Sequence, residues 1–259
     1  MLLAINANNT NIKFALYDGD RLAGAWRIRT EAARTADEYV AWLDHLMGLA
    51  GLTKGDVDAS IIATVVPPAL FHLRLLCREH FGSEPLVVGE PGVEVGIAVL
   101  VDRPAEVGAD RLANAVGGHL SYPGALIIVD FGTATTFDVV DAAGNFVGGV
   151  IAAGINLSLE ALHMATASLP RIAIDPPATA IGKDTRGAMQ AGIFWGYVGL
   201  VEGLVARIEA ELGTKATVVS TGGLAPLFVG ATPVLHHHDP EITMRGLVAI
   251  HRRSRRASR

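Results

Sequence analysis

The chain is poor in cysteine, charge and aromatic residues, and it has no long uninterrupted apolar run. Its one cysteine, Cys77, excludes an intramolecular disulfide and fits a reducing cytosol; beside Leu73 and Leu76 it reads as apolar filler in a helix. Positive charge is not in excess, since 21 Lys and Arg stand against 26 Asp and Glu, and a net charge of −5 gives no basis for nucleic acid as a partner. No segment approaches the ~18 consecutive apolar residues of a membrane span. The start, MLLAINANNTN, lacks the basic region and long apolar region of a signal peptide. These absences lead to the expectation of a soluble cytoplasmic protein with neither nucleic acid nor membrane as partner.

What is present is apolar bulk and glycine. Half of the 259 residues are hydrophobic, enough for one large core or two ordinary ones, and 29 glycines suit loops that approach ligands closely. The most informative stretch is residues 126–141, LIIVDFGTATTFDVVD. Leu126 to Val129 reads as a buried strand with Asp130 at its end. Gly132, Thr133, Ala134, Thr135 and Thr136 form a small-residue turn, and residues 137–140 return as a hairpin partner. The amides and hydroxyls of such a turn suit phosphate oxygens, and a carboxylate at the strand end suits a phosphate-bound hydrated cation.

The N-terminus repeats this unit. An apolar run over residues 1–6 meets a polar turn at Ala7, Asn8, Asn9, Thr10 and Asn11, and residues 12–17 return. Setting Asn6 on Asp130 places Asn8 on Gly132 and Asn9 on Thr133, so the chain reads as two halves built on one strand-turn-strand unit. Each half continues alike. Residues 21–28 form a third strand, 37–49 an amphipathic helix, 59–66 a buried strand, 67–81 a helix opened by two prolines and 85–88 another strand. In the second half, helices are expected over 157–169 and 184–212, short strands over 216–220 and 233–235, and a last helix from Pro240 to about Arg252. The fold class is α/β, with similar domains at 1–115 and 116–259 and a ligand cleft between the opposing turns.

Four further stretches are candidates for chemistry. Gly108, Ala109, Asp110 and Arg111 precede a helical segment; Asp110 is either its N-cap or a general base, with Arg111 an anchor for a substrate anion. Residues 148–154, GGVIAAG, read as a strand running into a glycine turn and a helix. At residues 182–185, GKDT, Asp184 or Thr185 either caps the long helix or meets a ligand. At residues 220–223, STGG, paired glycines would let backbone approach a flat ring or a phosphate. The run His236, His237, His238 is a poor metal site because adjacent strand residues point to opposite faces. The basic tail, residues 251–259, reads as a solvated charge run. The triplet Asp130, Phe131, Gly132 matches the metal-binding triplet of protein kinases, but the other motifs of that family are absent.

In order and together, these stretches resemble the type III pantothenate kinases, members of the acetate and sugar kinase, heat-shock ATPase and actin superfamily. Asn9, Thr10 and Asn11 look like that family's first phosphate motif, residues 108–111 its pantothenate motif, and residues 130–138 its second phosphate motif. Residues 182–185, 193–197 and 221–223 fall where the family has its own versions. The resemblance implies two ribonuclease H-like (actin-like ATPase) domains and transfer of the ATP γ-phosphoryl group to pantothenate, the first step towards coenzyme A. It implies that Asp110 accepts the proton and that Gly108, Ala109, Asp110, Arg111 and Thr185 hold pantothenate. ATP falls to Asn6, Ala7, Asn8, Asn9, Thr10, Asn11, Ile12, Lys13 and Thr133, and the monovalent cation (K⁺ or NH₄⁺) to Asp130, with Mg²⁺ on the nucleotide. It also implies a homodimer, for which the apolar segment 188–205 has a suitable face.

The chain departs from the family pattern at four places. Asn6 stands where the family has Asp, Asn8 where it has Gly, Ala153 where Pro is usual and Val101 where many members have Tyr. Asn6 matters most, because an amide brings no negative charge to Mg²⁺; an uncompensated loss of that kind is worth on the order of 10²–10³ in rate. Two readings therefore stand: an active kinase with an altered first turn, and a non-catalytic relative that binds nucleotide or pantothenate and acts through a partner.

Overall fold

The computed structural model describes residues 1–166 and 169–257. In chain order the first elements are β1 (Leu2–Ala7), β2 (Asn11–Asp18), β3 (Arg21–Arg29), α1 (Ala36–Leu49), β4 (Ala59–Thr64), α2 (Pro67–Leu75), β5 (Leu86–Val87) and α3 (Ala109–Ser121). They are followed by β6 (Leu126–Phe131), β7 (Ala134–Val140), β8 (Phe146–Ala153), α4 (Ile155–Met164), α5 (Thr185–Leu212), β9 (Thr217–Thr221), β10 (His237–His238) and α6 (Ile242–Ala257). The chain forms two compact units: Met1–Leu120 together with the segment that begins at Glu241, and Ser121–Pro240. The C-terminal helix, expected in the second domain, thus belongs with the first.

In the first unit the strand order is β3-β2-β1-β4-β5; β1 pairs antiparallel with β2 and parallel with β4. A central strand flanked on both sides must be apolar on both faces, and all six residues of β1 are buried. Alternation divides them. Leu3, Ile5 and Ala7 join Ile12, Phe14 and Leu16 under α1 and α2, whereas Leu2 and Ala4 join Ala15, Tyr17 and Ile61 under α3 and α6. By the same alternation Asn6 and its register partner Lys13 belong to the α3/α6 face. Those two helices cross at glycines, since a Cβ on Gly117 would strike the Ile242 carbonyl and one on Gly246 the Ala113 carbonyl. A buried hydrogen bond from Thr243 Oγ1 to Asn114 Oδ1, 2.6 Å, pins the crossing.

The second unit repeats the plan, with order β10-β9-β6-β7-β8 and β6 in the place of β1. Asn6 and Asp130 are each the fifth residue of a six-residue strand, opposite Lys13 and Thr136 respectively, so the expected alignment of the two turns holds. Phe194, Tyr197, Val198, Val201 and Val205 of α5 fill this unit's core with Phe131, Phe137 and Phe228. By length and composition α5 is also apolar enough to cross a membrane.

Three local expectations are corrected. The last strand is His237–His238, not 233–235: it is an exposed edge held by the Ser220 hydroxyl donating to the His237 carbonyl at 2.9 Å. Helix α4 ends at Met164 rather than at 169, and Ala167 and Ser168 of the expected helix lie outside the described residues. The basic tail is helical to Ala257, and Arg253 donates to the Gly96 carbonyl at 2.7 Å rather than lying free in solvent; Ser258 and Arg259 lie outside the described residues.

Candidate active site

In the first unit, the end of β1 and its turn are tied down through the backbone. Asn8 N–H donates to the Asn11 carbonyl at 3.0 Å, the Thr30 hydroxyl to the Asn8 carbonyl at 2.6 Å, and Val65 N–H to the Ala7 carbonyl at 3.1 Å. Asn9, Thr10 and Asn11 are left at the surface. Among the described residues only glycines have positive φ, so the backbone at Asn8 does not require glycine. Asn6 is 7% exposed, and the amide oxygens of Asn6 and Asn8 are buried without a hydrogen-bond partner in the protein. A buried carbonyl left unpaired costs about 1–3 kcal/mol. Such an atom at the mouth of a turn is a place for a donor brought by a ligand or by ordered water.

Lys13, opposite Asn6 in the ladder, extends its ammonium to both oxygens of Glu241, at 2.7 and 2.8 Å. Glu241 directly precedes α6, and its carbonyl accepts the Arg245 N–H at 2.9 Å. Nothing local in the sequence marks Glu241 as part of this group; only the return of the last helix onto the first sheet brings it there.

Asp110 lies in the first turn of α3. The first helical bond runs from Leu112 N–H to the Gly108 carbonyl, 3.1 Å, so Gly108 and not Asp110 occupies the N-cap. The carboxylate nevertheless accepts the Arg111 N–H at 2.8 Å, one of the amides a helix start leaves unpaired. Burial raises its pKa above the ordinary carboxylate range, against the lowering effect of that bond and of the Arg111 charge. A Cβ on Gly108 would stand 2.7 Å from Asp110 Oδ1 and 3.4 Å from Val65. Through Val65, bonded to Ala7, the start of α3 is set beside the end of β1.

In the second unit, Asp130 is the last residue but one of β6, and Gly222 follows β9 in the left-handed region at φ +91°. A side chain on Gly222 would strike Asp130 Oδ1 and the Phe131 backbone, so only glycine lets the chain after β9 pack this closely on the end of β6. Thr133 is exposed at the turn, and its carbonyl accepts the Gly154 N–H at 3.1 Å. Tyr197 and Thr135 share a buried hydroxyl contact beneath the turn, and Phe228 stacks on Phe131 at 4.8 Å. Thr185 is exposed at the first position of α5, capped by Asp184, which accepts the Gly187 N–H at 2.7 Å. Twelve residues of helix, about 18 Å, separate Thr185 from Tyr197. The histidines serve the sheet edge: His236 Nδ1 accepts the Val218 N–H at 2.9 Å, and His237 stacks on Tyr122.

The chain is 60% identical over 254 residues to the type III pantothenate kinase of Paramagnetospirillum magneticum, covering 98% of each chain. It is 60% identical to that of Rhodospirillum rubrum, covering 98% of this chain and 99% of the other. The family model for type III pantothenate kinase matches residues 2–207. The chain belongs to the type III pantothenate kinase family. In fold it is also similar to the activator of the 2-hydroxyisocaproyl-CoA dehydratase from Clostridium difficile, with a TM-score of 0.54 and 13% identity over 99% of this chain and 96% of that one. Type III pantothenate kinases are phosphotransferases, and by this family membership so is the chain.

Proposed function

We propose that the chain phosphorylates the primary hydroxyl of pantothenate with ATP, giving 4′-phosphopantothenate, the first step towards coenzyme A. The observation that carries this reading is Asp110, a carboxylate held at the start of α3 with its pKa raised by burial, as a proton acceptor requires. Asp110 takes the hydroxyl proton as the oxygen attacks the γ-phosphorus, while Arg111 pairs with the pantothenate carboxylate. Gly108, Ala109 and Thr185 complete the acceptor's contacts. The turn from Asn6 to Lys13 and Thr133 hold the ATP phosphates, largely through backbone amides. Phosphoryl transfer asks little covalent chemistry of the protein beyond this positioning.

Mg²⁺ on the nucleotide and a monovalent cation, K⁺ or NH₄⁺, neutralise phosphate charge when bound. The residues fit them. The unpartnered Asn6 Oδ1 can accept from a metal-bound water, and a carboxylate near the end of β6, Asp130, is the kind of oxygen ligand a hard cation takes. We place the protein in the cytoplasm as a homodimer, in which a second copy covers exposed apolar residues of the second unit such as Ile151, Met164 and Trp195.

The test is ADP release coupled to pantothenate, with Mg²⁺ and K⁺, beside Asp110→Ala. Pantothenate-dependent ADP that disappears in the variant supports the reading; a folded protein without turnover at millimolar ATP overturns it. The second reading, a non-catalytic relative, is favoured by the uncharged Asn6 and predicts nucleotide or pantothenate binding without ADP.

A further inference from the structure

Each unit ties the turn after its first strand to the residue that follows its third strand. In the first unit that residue is Thr30, whose N–H donates to the Thr10 carbonyl at 2.9 Å and whose hydroxyl donates to the Asn8 carbonyl at 2.6 Å. In the second it is Gly154, whose N–H donates to the Thr133 carbonyl at 3.1 Å. Gly154 has no hydroxyl to give, and a Cβ there would strike the Gly132 and Thr133 carbonyls, so the turn leaves no room for a side chain. Gly154 is also the N-cap of α4, which it leaves without a side-chain cap. A hydroxyl reaches the same place from α5. Tyr197 donates to the Ala153 carbonyl at 3.4 Å, is hydrogen-bonded to the Thr135 hydroxyl and receives the Ile155 N–H, the first amide of α4. One proton given and two lone pairs filled is the full capacity of a hydroxyl. Both Tyr197 and Thr135 are buried, and burial raises the Tyr197 pKa, so the donated proton stays in place at neutral pH.

We infer that the Tyr197 hydroxyl positions the second unit's turn, residues 132–134, for the nucleotide phosphates, holding Thr135 on one side of the turn and the corner from Ala153 to Ile155 on the other. Tyr197 is a positioning residue buried beneath the turn. Thr135 lies two residues beyond Thr133 on β7, and Gly154 is bonded to the Thr133 carbonyl, so one oxygen shared by Thr135, Ala153 and Ile155 closes a bracket around the turn. Groups that must meet phosphate oxygens lose their effect when they shift by about an ångström, and the bracket opposes that shift. The ring serves a separate purpose. It stacks on Phe228 with centroids 5.3 Å apart and lies 6.3 Å from Phe131, contacts that phenylalanine would keep. Hydroxyl and ring can therefore be tested apart. The inference rests on the proposed phosphate contact at Thr133 and gives α5 a part in it.

The test compares the full chain with Tyr197→Phe, Thr135→Val, Thr135→Ser and the Tyr197→Phe/Thr135→Val double variant. For each, the KM for ATP and for pantothenate is measured by ADP release, the Kd for ADP by calorimetry and the melting temperature by a thermal scan. Tyr197→Phe and Thr135→Val are each expected to raise the KM for ATP and the Kd for ADP about tenfold, with the KM for pantothenate within about twofold of wild type. Thr135→Ser keeps the hydroxyl and is expected to stay within about twofold throughout. The double variant is expected to fall within about threefold of the weaker single one, since both substitutions remove the same contact. Thr135→Val decides the matter if Tyr197→Phe fails to fold. A lowered melting temperature with the KM for ATP and the Kd for ADP unmoved would make the bracket purely structural and overturn the inference; so would an equal rise in both KM values. A wild type that binds ADP without pantothenate-dependent turnover overturns the kinase reading alone, and the ADP affinities then decide the inference. A wild type that binds no ADP overturns the nucleotide site and the inference with it.

Discussion

Burial of Asp110 sets its basicity against the stability of the fold. Its folded pKa is raised above the unfolded value of about 3.9, so the stability linked to this group is fully present below about pH 3.9 and is lost as pH rises through the folded value. Once ionised, the carboxylate therefore works against folding. Asp110→Asn is expected to keep or raise the melting temperature at pH 7 while turnover falls on the order of 10²–10⁴. A melt and an ADP-release assay on the same preparation check this, and lowered stability with full turnover would remove Asp110 from its role. The adjacent glycines 222 and 223 make a second contrast. Gly222 has φ +91° and no room for a Cβ, whereas a Cβ on Gly223 meets nothing within 4 Å. Gly222→Ala is expected to destabilise by about 2–4 kcal/mol and to abolish stimulation by K⁺, and Gly223→Ala to do neither. Melts and a K⁺ titration separate the two. The sequence marks the pair as a place of close approach but not which glycine makes it, because that depends on Asp130 and Phe131, about ninety residues upstream.

At the scale of elements, what could be read was what has a local cause. The β1–β2 and β6–β7 hairpins follow from apolar runs broken by small polar turns, and α1 follows from its spacing of Tyr39, Leu43 and Met47 together with the Thr35 and Glu38 capping box. The last strand was misplaced because the apolar residues 233–235 suggest a strand, whereas His237–His238 is set by bonds from Ser220 and pairing with β9. The α3/α6 crossing was invisible for the same reason. A glycine inside a helix is ordinarily a mild defect, and only the approach of a second helix turns Gly117 and Gly246 into a requirement. Gly246→Ala must push the helices apart, since a Cβ there runs into the Ala113 carbonyl. A loss of about 1–3 kcal/mol is expected, with a fall in turnover, because Asp110 stands in the first turn of α3. Denaturant unfolding checks the first and ADP release the second; unchanged stability would mean the crossing adjusts freely.

For the whole molecule, the repeat was legible because both copies keep the same strand order and turn position, while the division of the chain was not, because it is discontinuous. The segment from Glu241 returns to the first sheet, where Met244, Leu247, Val248 and Ile250 are buried against residues of β1 and β4. Periodicity identifies that helix as amphipathic but does not say which sheet its apolar face covers. The consequence is measurable. Each such side chain contributes about 1.5–3 kcal/mol on burial, so four together are worth on the order of 6–12 kcal/mol, as much as the entire stability of an ordinary domain. A chain ending at Pro240 is therefore expected to lose the cooperative fold of its first unit, even though the deletion leaves every residue of the second unit in place. Limited proteolysis with mass spectrometry distinguishes the outcomes. Cleavage throughout residues 1–120 beside a resistant 121–240 core is the expected pattern, and equal resistance of both would show that the first sheet stands without its last helix.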